Sequence, residues 1–251
     1  MQIFYRISDG SYPKVKFEGA TKEGCFNNFC LNCYEDKEDV LNVFLDGVED
    51  ETWNRWKKKI EDMPILPGAI INLVRSYGGS SAGGFRVVFD EALKLDDTEY
   101  VYFVEDDYIH LPGSRRVLLE GLERANYVTL YNHPDKYIPA SKGGNPLIAD
   151  DGAEATKVFV TASSYWMLTN STTMTFATQV KTLREDLDVW ERHTSGTYPL
   201  DMQIFLNLRN KGRSLIQPIP TKSTHALPDW AAHLYGTPYD SWEEVLHESS
   251  S

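Results

Sequence analysis

The sequence predicts an α/β protein: a mostly parallel central sheet flanked by helices, followed by a smaller and less regular β/α region. Three observations carry that expectation. Strand-like and helix-like patterns alternate through the first half, as βαβ units require. The chain has 251 residues, 41% of them hydrophobic and 12% aromatic, enough for one large core. No internal repeat and no clear linker interrupts it, so a single domain is expected.

The elements follow in order. Residues 3–7 (IFYRI) read as a strand and 21–35 as a helix; 40–47 (VLNVFLDG) as a strand and 50–63 as a helix. Residues 69–75 (AIINLVR) form the third strand, and 80–95 a helix behind a glycine-rich lead-in. Residues 99–105 (EYVYFVE) are the fourth strand, 113–125 the fourth helix, and 126–132 are again strand-like. Beyond them the pattern loosens. Residues 133–155, rich in Pro, Gly and Asp, read as a long loop or hairpin region. Residues 156–169 are β-branched and aromatic, as in strands, and 173–193 read as helical. Residues 198–212 make a helix with Pro199 near its start, Gly212 at its end, and Leu200, Ile204 and Leu208 on one face. A short strand at 214–220 and a polar, aromatic tail complete the chain.

In a parallel sheet ligands bind outside the carboxyl ends of the strands. Four polar groups fall there: Ser8 with Asp9, Asp46, residues 76–84, and the run Glu105, Asp106, Asp107. The formal net charge of −12 disfavours nonspecific contact with phosphate backbones, so no broad nucleic-acid-binding surface is expected. An acidic chain still binds a phosphorylated ligand when a divalent metal bridges the two. No segment approaches the roughly 18–20 apolar residues of a membrane span, and the N-terminus lacks an apolar signal core, so a soluble, cytoplasmic protein is expected. Cys25, Cys30 and Cys33 imitate part of an iron–sulfur run, but the fourth cysteine that such a cluster needs is missing. They read as helix packing, and their odd number argues against a disulfide framework.

Three adjacent carboxylates at a strand end repel one another, so water, a cation or a shifted pKa must offset them. A solvated turn is one reading. A Walker-B acid is another, but it needs a phosphate loop, and GGSSAGGFR lacks the lysine and the hydroxyl that follows it. The third is a divalent cation holding a diphosphate, since Mg²⁺ and Mn²⁺ take carboxylate oxygens together with substrate phosphates.

An apolar strand ending in VEDD, behind a strand–helix alternating first half, resembles the DxD-type motif of GT-A glycosyltransferases, in particular family 2-like members. The resemblance spans residues 1–227 in order and spacing. It implies a Rossmann-like GT-A fold with a nucleotide-sugar-binding half (1–132), an acceptor-side half (133–227) and a C-terminal tail (228–251). It also implies a metal-dependent hexosyl- or pentosyltransferase of the inverting type. A nucleoside diphosphate sugar, with a UDP-sugar the expected donor, would pass its sugar to an acceptor hydroxyl. The acceptor is open: glycan, lipid-linked sugar, protein or modified nucleic-acid base.

By the same resemblance Asp107 and His225 would hold Mn²⁺ or Mg²⁺, and Asp106 would aid the metal or hold ribose. SYGGSSAGGFRVVFDEAL resembles the segment whose arginine faces the diphosphate, here Arg86, unless Arg86 is a surface residue of an amphipathic helix. YPLDMQIFLNLRNKG resembles the helix that carries the catalytic base, here Asp201, although Leu200 stands where the family has a second acid and an acid also suits any helix start. Ser8, Asp9 and Asp46 would meet base or ribose. His225 has His233 as a neighbouring competitor. Tyr165 and Trp166 would stack on a sugar unless they are core, and Trp230 would close over the donor. Two rivals stay open: a sugar-phosphate nucleotidyltransferase, whose G-x-G-x-R-type loop YRISDGSYPK does not match, and a non-catalytic sugar- or nucleotide-binding relative.

Overall fold

A computed structural model of the chain describes residues 1–10, 15–63, 68–148 and 154–249. The first half contains β1 (Gln2–Ser8), α1 (Lys22–Asn32), β2 (Val40–Asp46), α2 (Asp50–Asp62), β3 (Ile70–Ser76), α3 (Ser81–Ala92) and β4 (Tyr100–Glu105). Then come β5 (Tyr108–His110), α4 (Ser114–Leu122) and β6 (Tyr127–Val128). The second half contains β7 (Val158–Val160), β8 (Tyr165–Thr169), β9 (Phe176–Gln179), α5 (Val180–Glu185), α6 (Leu187–His193), α7 (Asp201–Asn210), β10 (Leu215–Ile219), β11 (Ser223–His225) and α8 (Trp242–Glu248).

Nine strands form one sheet in the order β3-β2-β1-β4-β9-β6-β10-β8-β7. β3, β2, β1 and β4 pair in parallel, and β6 and β10 run the same way. β9 is antiparallel between β4 and β6, and β8 and β7 are antiparallel at the far edge. The sheet is therefore mostly parallel, and helices cover both faces. One face buries Ile3, Tyr5, Leu41, Val43 and Tyr102 under α1, α2 and α4, through Phe26, Phe29, Trp56 and Leu118. The other buries Phe4, Phe44 and Phe103 under α3, α6 and α7, through Phe85, Phe89, Trp190 and Phe205. This is the two-residue period of strands read on both sides of one sheet.

Two elements differ from their sequence reading. Residues 173–193 are not one helix: Phe176–Gln179 is β9, inserted into the middle of the sheet. Phe176 stacks on Trp190 at 5.0 Å, and Thr178 Oγ1 donates to the Asn126 carbonyl at 2.6 Å. Tertiary pairing thus overrides a helical pattern that only begins at Val180. β5 is hidden inside the acidic turn and pairs with β11, so that Tyr108 faces His225. The region 133–155 contains two short 3-10 turns, Pro134–Tyr137 and Ala140–Lys142; its residues 149–153 lie outside the described ones.

Candidate active site at the carboxyl ends of the central strands

The strand period builds the floor of the site. Phe4, Phe44 and Phe103 form an aromatic row across β1, β2 and β4, with ring centroids 5.9 and 5.6 Å apart. One pleat further along the same face stand Arg6, Asp46 and Glu105, with Arg6 opposite Glu105 in register. The core thus ends in a charged row. Arg6 Nη1 lies 3.8 Å from Asp46 Oδ2, and Arg6 Nη2 lies 3.6 Å from Glu105 Oε1. Asp46 is buried, and its Oδ1 accepts the Gly78 N–H at 2.7 Å. This explains the glycine-rich segment. A Cβ on Gly84 would lie 2.0 Å from Asp46 Oδ2, and one on Gly78 would lie 2.0 Å from the Gly84 nitrogen, so loop, helix start and carboxylate meet only without side chains.

A cavity of about 740 Å³ opens above this row. Its walls include Ser8, Lys16, Tyr77, Ser80, Asp106 and Asp107. Each carboxylate of the acidic run has its own protein cation. Glu105 has Arg6, Asp106 Oδ2 has Lys22 Nζ at 3.5 Å, and Asp107 Oδ2 has both Lys16 Nζ at 3.3 Å and His225 Nε2 at 3.2 Å. Asp106 Oδ2 also accepts the Ser8 N–H at 3.1 Å, which ties the ends of β1 and β4 together. The pKa directions follow. Burial, then the charge of Asp107, pushes Glu105 up to about 7 against the pull of Arg6. The same two causes raise Asp106. Burial also works to raise Asp107, but the hydrogen bond and charge of His225, with Lys16, outweigh it and hold that carboxyl well below the usual range.

A second cavity, of about 320 Å³, lies on the other side of the Asp107–His225 pair: Asp107 lines the first and His225 the second. Asp201, the first residue of α7, lines the second cavity together with His133, Asp135 and Trp230. Burial raises the Asp201 carboxyl, against the pull of its hydrogen bond from the Met202 N–H at 2.7 Å. His133 is packed between the rings of Tyr131 and Trp230, at 5.0 and 5.3 Å, with its Nδ1 3.0 Å from Asp135 Oδ1.

The structure thus brings together Ser8, Asp46, Asp106 and Asp107 around the first cavity, with His225 and Asp201 around the second and His225 paired to Asp107. It does not bring in Asp9 or Arg86. Asp9 is exposed, and its carboxylate accepts the N–H of Glu49 at the start of α2, at 3.3 Å. Arg86 points along the flank of α3. It lies over the Phe89 ring at 5.3 Å and pairs with Asp90 at 3.1 Å and Glu191 at 3.9 Å. The helical period places it one turn from Phe89 and Asp90 on α3, facing Glu191 of α6 and away from the strand ends. Arg6 holds the position in the cavity instead. Trp166 is core, its Nε1 donating to Thr161 Oγ1 at 2.8 Å, and Tyr165 is exposed on the same strand, β8; neither lines either cavity. Trp230 belongs to the second cavity rather than over the first. His233 stacks on Tyr235 in a separate groove. Sequence reasoning missed Arg6, Lys16, Lys22, His133 and Asp135. Only Arg6 carried a signal: it is a charge at an inward-facing position of β1.

The donor set suits a hard or borderline cation only in part. Among the described residues no three His, Cys, Asp or Glu side chains converge as a metal-binding group. Asp107 Oδ2 and His225 Nε2, 3.2 Å apart, match two neighbouring corners of an octahedron, whose edge is about 3 Å for bonds near 2.1 Å. Mn²⁺ or Mg²⁺ there would draw its remaining ligands from phosphate and water.

No family model and no curated protein matches the sequence. Solved structures do resemble the fold. GalNAc-T7, crystallised with UDP, GalNAc and Mn²⁺, is similar over 92% of this chain and 44% of its own, with a TM-score of 0.58 at 10% identity. The galactosyltransferase LgtC, in complex with donor and acceptor sugar analogs, is similar over 82% of this chain and 69% of its own, with a TM-score of 0.45 at 12% identity. A nucleoside-diphosphate-sugar pyrophosphorylase from Vibrio cholerae RC9 is similar over 91% and 97%, with a TM-score of 0.49 at 12% identity. This chain spans less than half the length of the GalNAc-T7 chain. The likeness is one of architecture: a large, mostly parallel sheet between helices is a GT-A glycosyltransferase fold.

Proposed function

We propose that the protein is a glycosyltransferase that moves a sugar from a nucleoside diphosphate sugar to an acceptor hydroxyl, with inversion at the anomeric carbon. The observation that carries this reading is a single pair, Asp107–His225, with one cavity on its Asp107 side and another on its His225 side. The larger cavity suits the nucleotide: Asp46 and Asp106 offer carboxylates to ribose or base, and Arg6 and Lys16 face a diphosphate. The smaller suits the acceptor, with His133 and Trp230 rings as its walls. A divalent ion on Asp107 and His225 would supply Lewis-acid stabilisation of the leaving diphosphate. Three carboxylates (Asp46, Asp106 and Asp107) and a Glu105 held partly protonated face three full cations (Arg6, Lys16 and Lys22), which leaves no surplus positive charge for a diphosphate without a metal.

Asp201 acts as the base. Its burial keeps the carboxyl above the ordinary range and so closer to the proton affinity that general-base work requires. The acceptor O–H proton passes to the Asp201 carboxylate, the acceptor oxygen bonds to the anomeric carbon, and the carbon–oxygen bond to the diphosphate breaks with its electron pair on the leaving group. Arg6 and Lys16 hold that charge.

The test is binding of UDP and other nucleoside diphosphates by calorimetry with Mn²⁺, together with hydrolysis of a nucleotide-sugar panel without acceptor. We expect metal-dependent UDP binding and slow donor hydrolysis, both lost in Asp107→Ala. Absence of both in the wild type rejects the reading. Release of pyrophosphate from a nucleoside triphosphate and a sugar phosphate would mark a nucleotidyltransferase instead.

A further inference from the structure

We infer that Lys16 is an exchange cation: its ammonium occupies Asp107 until a divalent ion arrives, then turns to the donor diphosphate, so that metal and donor bind cooperatively. The inference rests on the donor reading above and assigns a role that reading leaves open.

Three chain segments are tied at one point. The Ala226 N–H donates to the Asp107 carbonyl at 2.8 Å, and the Phe17 N–H donates to the Ala226 carbonyl at 3.2 Å. These bonds align Lys16, Asp107 and His225 side by side. Lys16 Nζ and His225 Nε2 both contact the same oxygen, Asp107 Oδ2, at 3.3 and 3.2 Å. That oxygen is the one a metal shared with His225 must take, so Lys16 and the metal compete for one lone-pair region. Lys16 and Asp107 are each about one-fifth exposed and line the large cavity, so the ammonium has room to swing. A lysine is suited to this, being a compact charge on a flexible four-carbon stem. Displaced by a metal alone, it would lose its carboxylate and gain only water. With a diphosphate present it regains an anionic partner. Each ligand therefore relieves a cost the other incurs, which is positive coupling and must be reciprocal.

The test measures Mn²⁺ binding alone, by calorimetry and by Mn²⁺ electron paramagnetic resonance, then repeats it with saturating UDP. Wild type, Lys16→Ala and Lys16→Arg are compared. Without nucleotide, Lys16→Ala should bind Mn²⁺ about tenfold more tightly, because its competitor is gone. With UDP that gain should vanish or reverse, so the Mn²⁺–UDP coupling falls about tenfold or more. Lys16→Arg keeps the charge and should keep both the weak Mn²⁺ binding and the coupling. Melting curves show whether each variant is folded; Lys16 is a partly exposed side chain and its truncation leaves the core intact. A Lys16→Ala protein whose affinity for Mn²⁺ alone is unchanged or weaker overturns the inference, and so does undiminished coupling. In both cases intact Mn²⁺-dependent UDP binding leaves the donor reading standing. UDP that binds no variant at any Mn²⁺ concentration overturns the donor reading and this inference with it.

Discussion

Replacing Gly84 with alanine tests how the glycine-rich segment builds the site. The new Cβ would lie 2.0 Å from Asp46 Oδ2 and 3.0 Å from Arg6 Nη1. Ordinary carbon contacts begin near about 3.5 Å, so one side must move by roughly 1.5 Å. Neither side is free to do so. Asp46 is buried, with Oδ1 on the Gly78 N–H and Oδ2 facing Arg6. The start of α3 is held by the Ser80 side chain, which caps the Gly83 N–H at 3.0 Å. Overpacking of a pinned contact costs about 3 kcal/mol, the upper part of the usual range. For a domain of this size that lowers Tm by roughly 6–12 °C in a thermal melt. Gly196→Ala is the control: its nearest atom, the Tyr198 carbonyl oxygen, is 3.9 Å away, so the change should stay within about 0.5 kcal/mol. In an Asp46→Ala background only the milder contact with the Arg6 side-chain end at 3.0 Å remains, and most of the Gly84→Ala penalty should disappear as a coupling of about 2–3 kcal/mol. A Gly84→Ala protein that melts within a degree of wild type, or a penalty unchanged by Asp46→Ala, refutes this account of the segment.

Asp201→Asn should lower transfer by at least about 100-fold while leaving the Kd for UDP within about twofold, because a base on the acceptor side takes no part in donor binding; a parallel loss of UDP affinity would move Asp201 out of that role. His110 is fully buried, and burial pushes its pKa down to about 3, below its unfolded value of about 6.5. Between those values the unfolded chain takes a proton that the fold refuses. Its contribution is therefore intact above about pH 6.5 and lost on acidification, at about 1.4 kcal/mol per pH unit. Urea midpoints of His110→Gln between pH 6 and 4 should fall less steeply, by one proton; an unchanged slope rejects the assignment. Asp186, fully buried, accepts the Tyr127 O–H at 2.9 Å and the Arg213 Nε–H at 2.8 Å, so Asp186→Ala should cost about 3 kcal/mol and Asp186→Asn distinctly less, read from denaturation midpoints. Equal costs would mean that charge contributes nothing there.

Much of the first half was legible because its signals are local. A strand buried on both faces, a capped helix and a polar strand end each show in a few consecutive residues, as in VLNVFLD, which ends in Asp46, or YVYFVE before Asp106. The second half was less so. FATQ is four residues long and abuts a helix, so no period distinguishes it, and its place between β4 and β6 depends on partners more than 45 residues away. Arg86 and Arg6 show the same limit. Both are arginines near polar segments, and only the rotation of α3 against the sheet decides which one faces the cavity.

The sequence by itself determined the alternation of elements, from periods of two and 3.6 residues, and a run of acids at the end of an apolar strand, from a few consecutive residues. Tertiary structure alone decided how those acids are neutralised. Lys16, Lys22 and His225 come from segments distant along the chain, and pairing of β11 with β5 sets His225 against Asp107. Charge interactions at 3 to 4 Å depend on which segments fold together, and no local pattern encodes that.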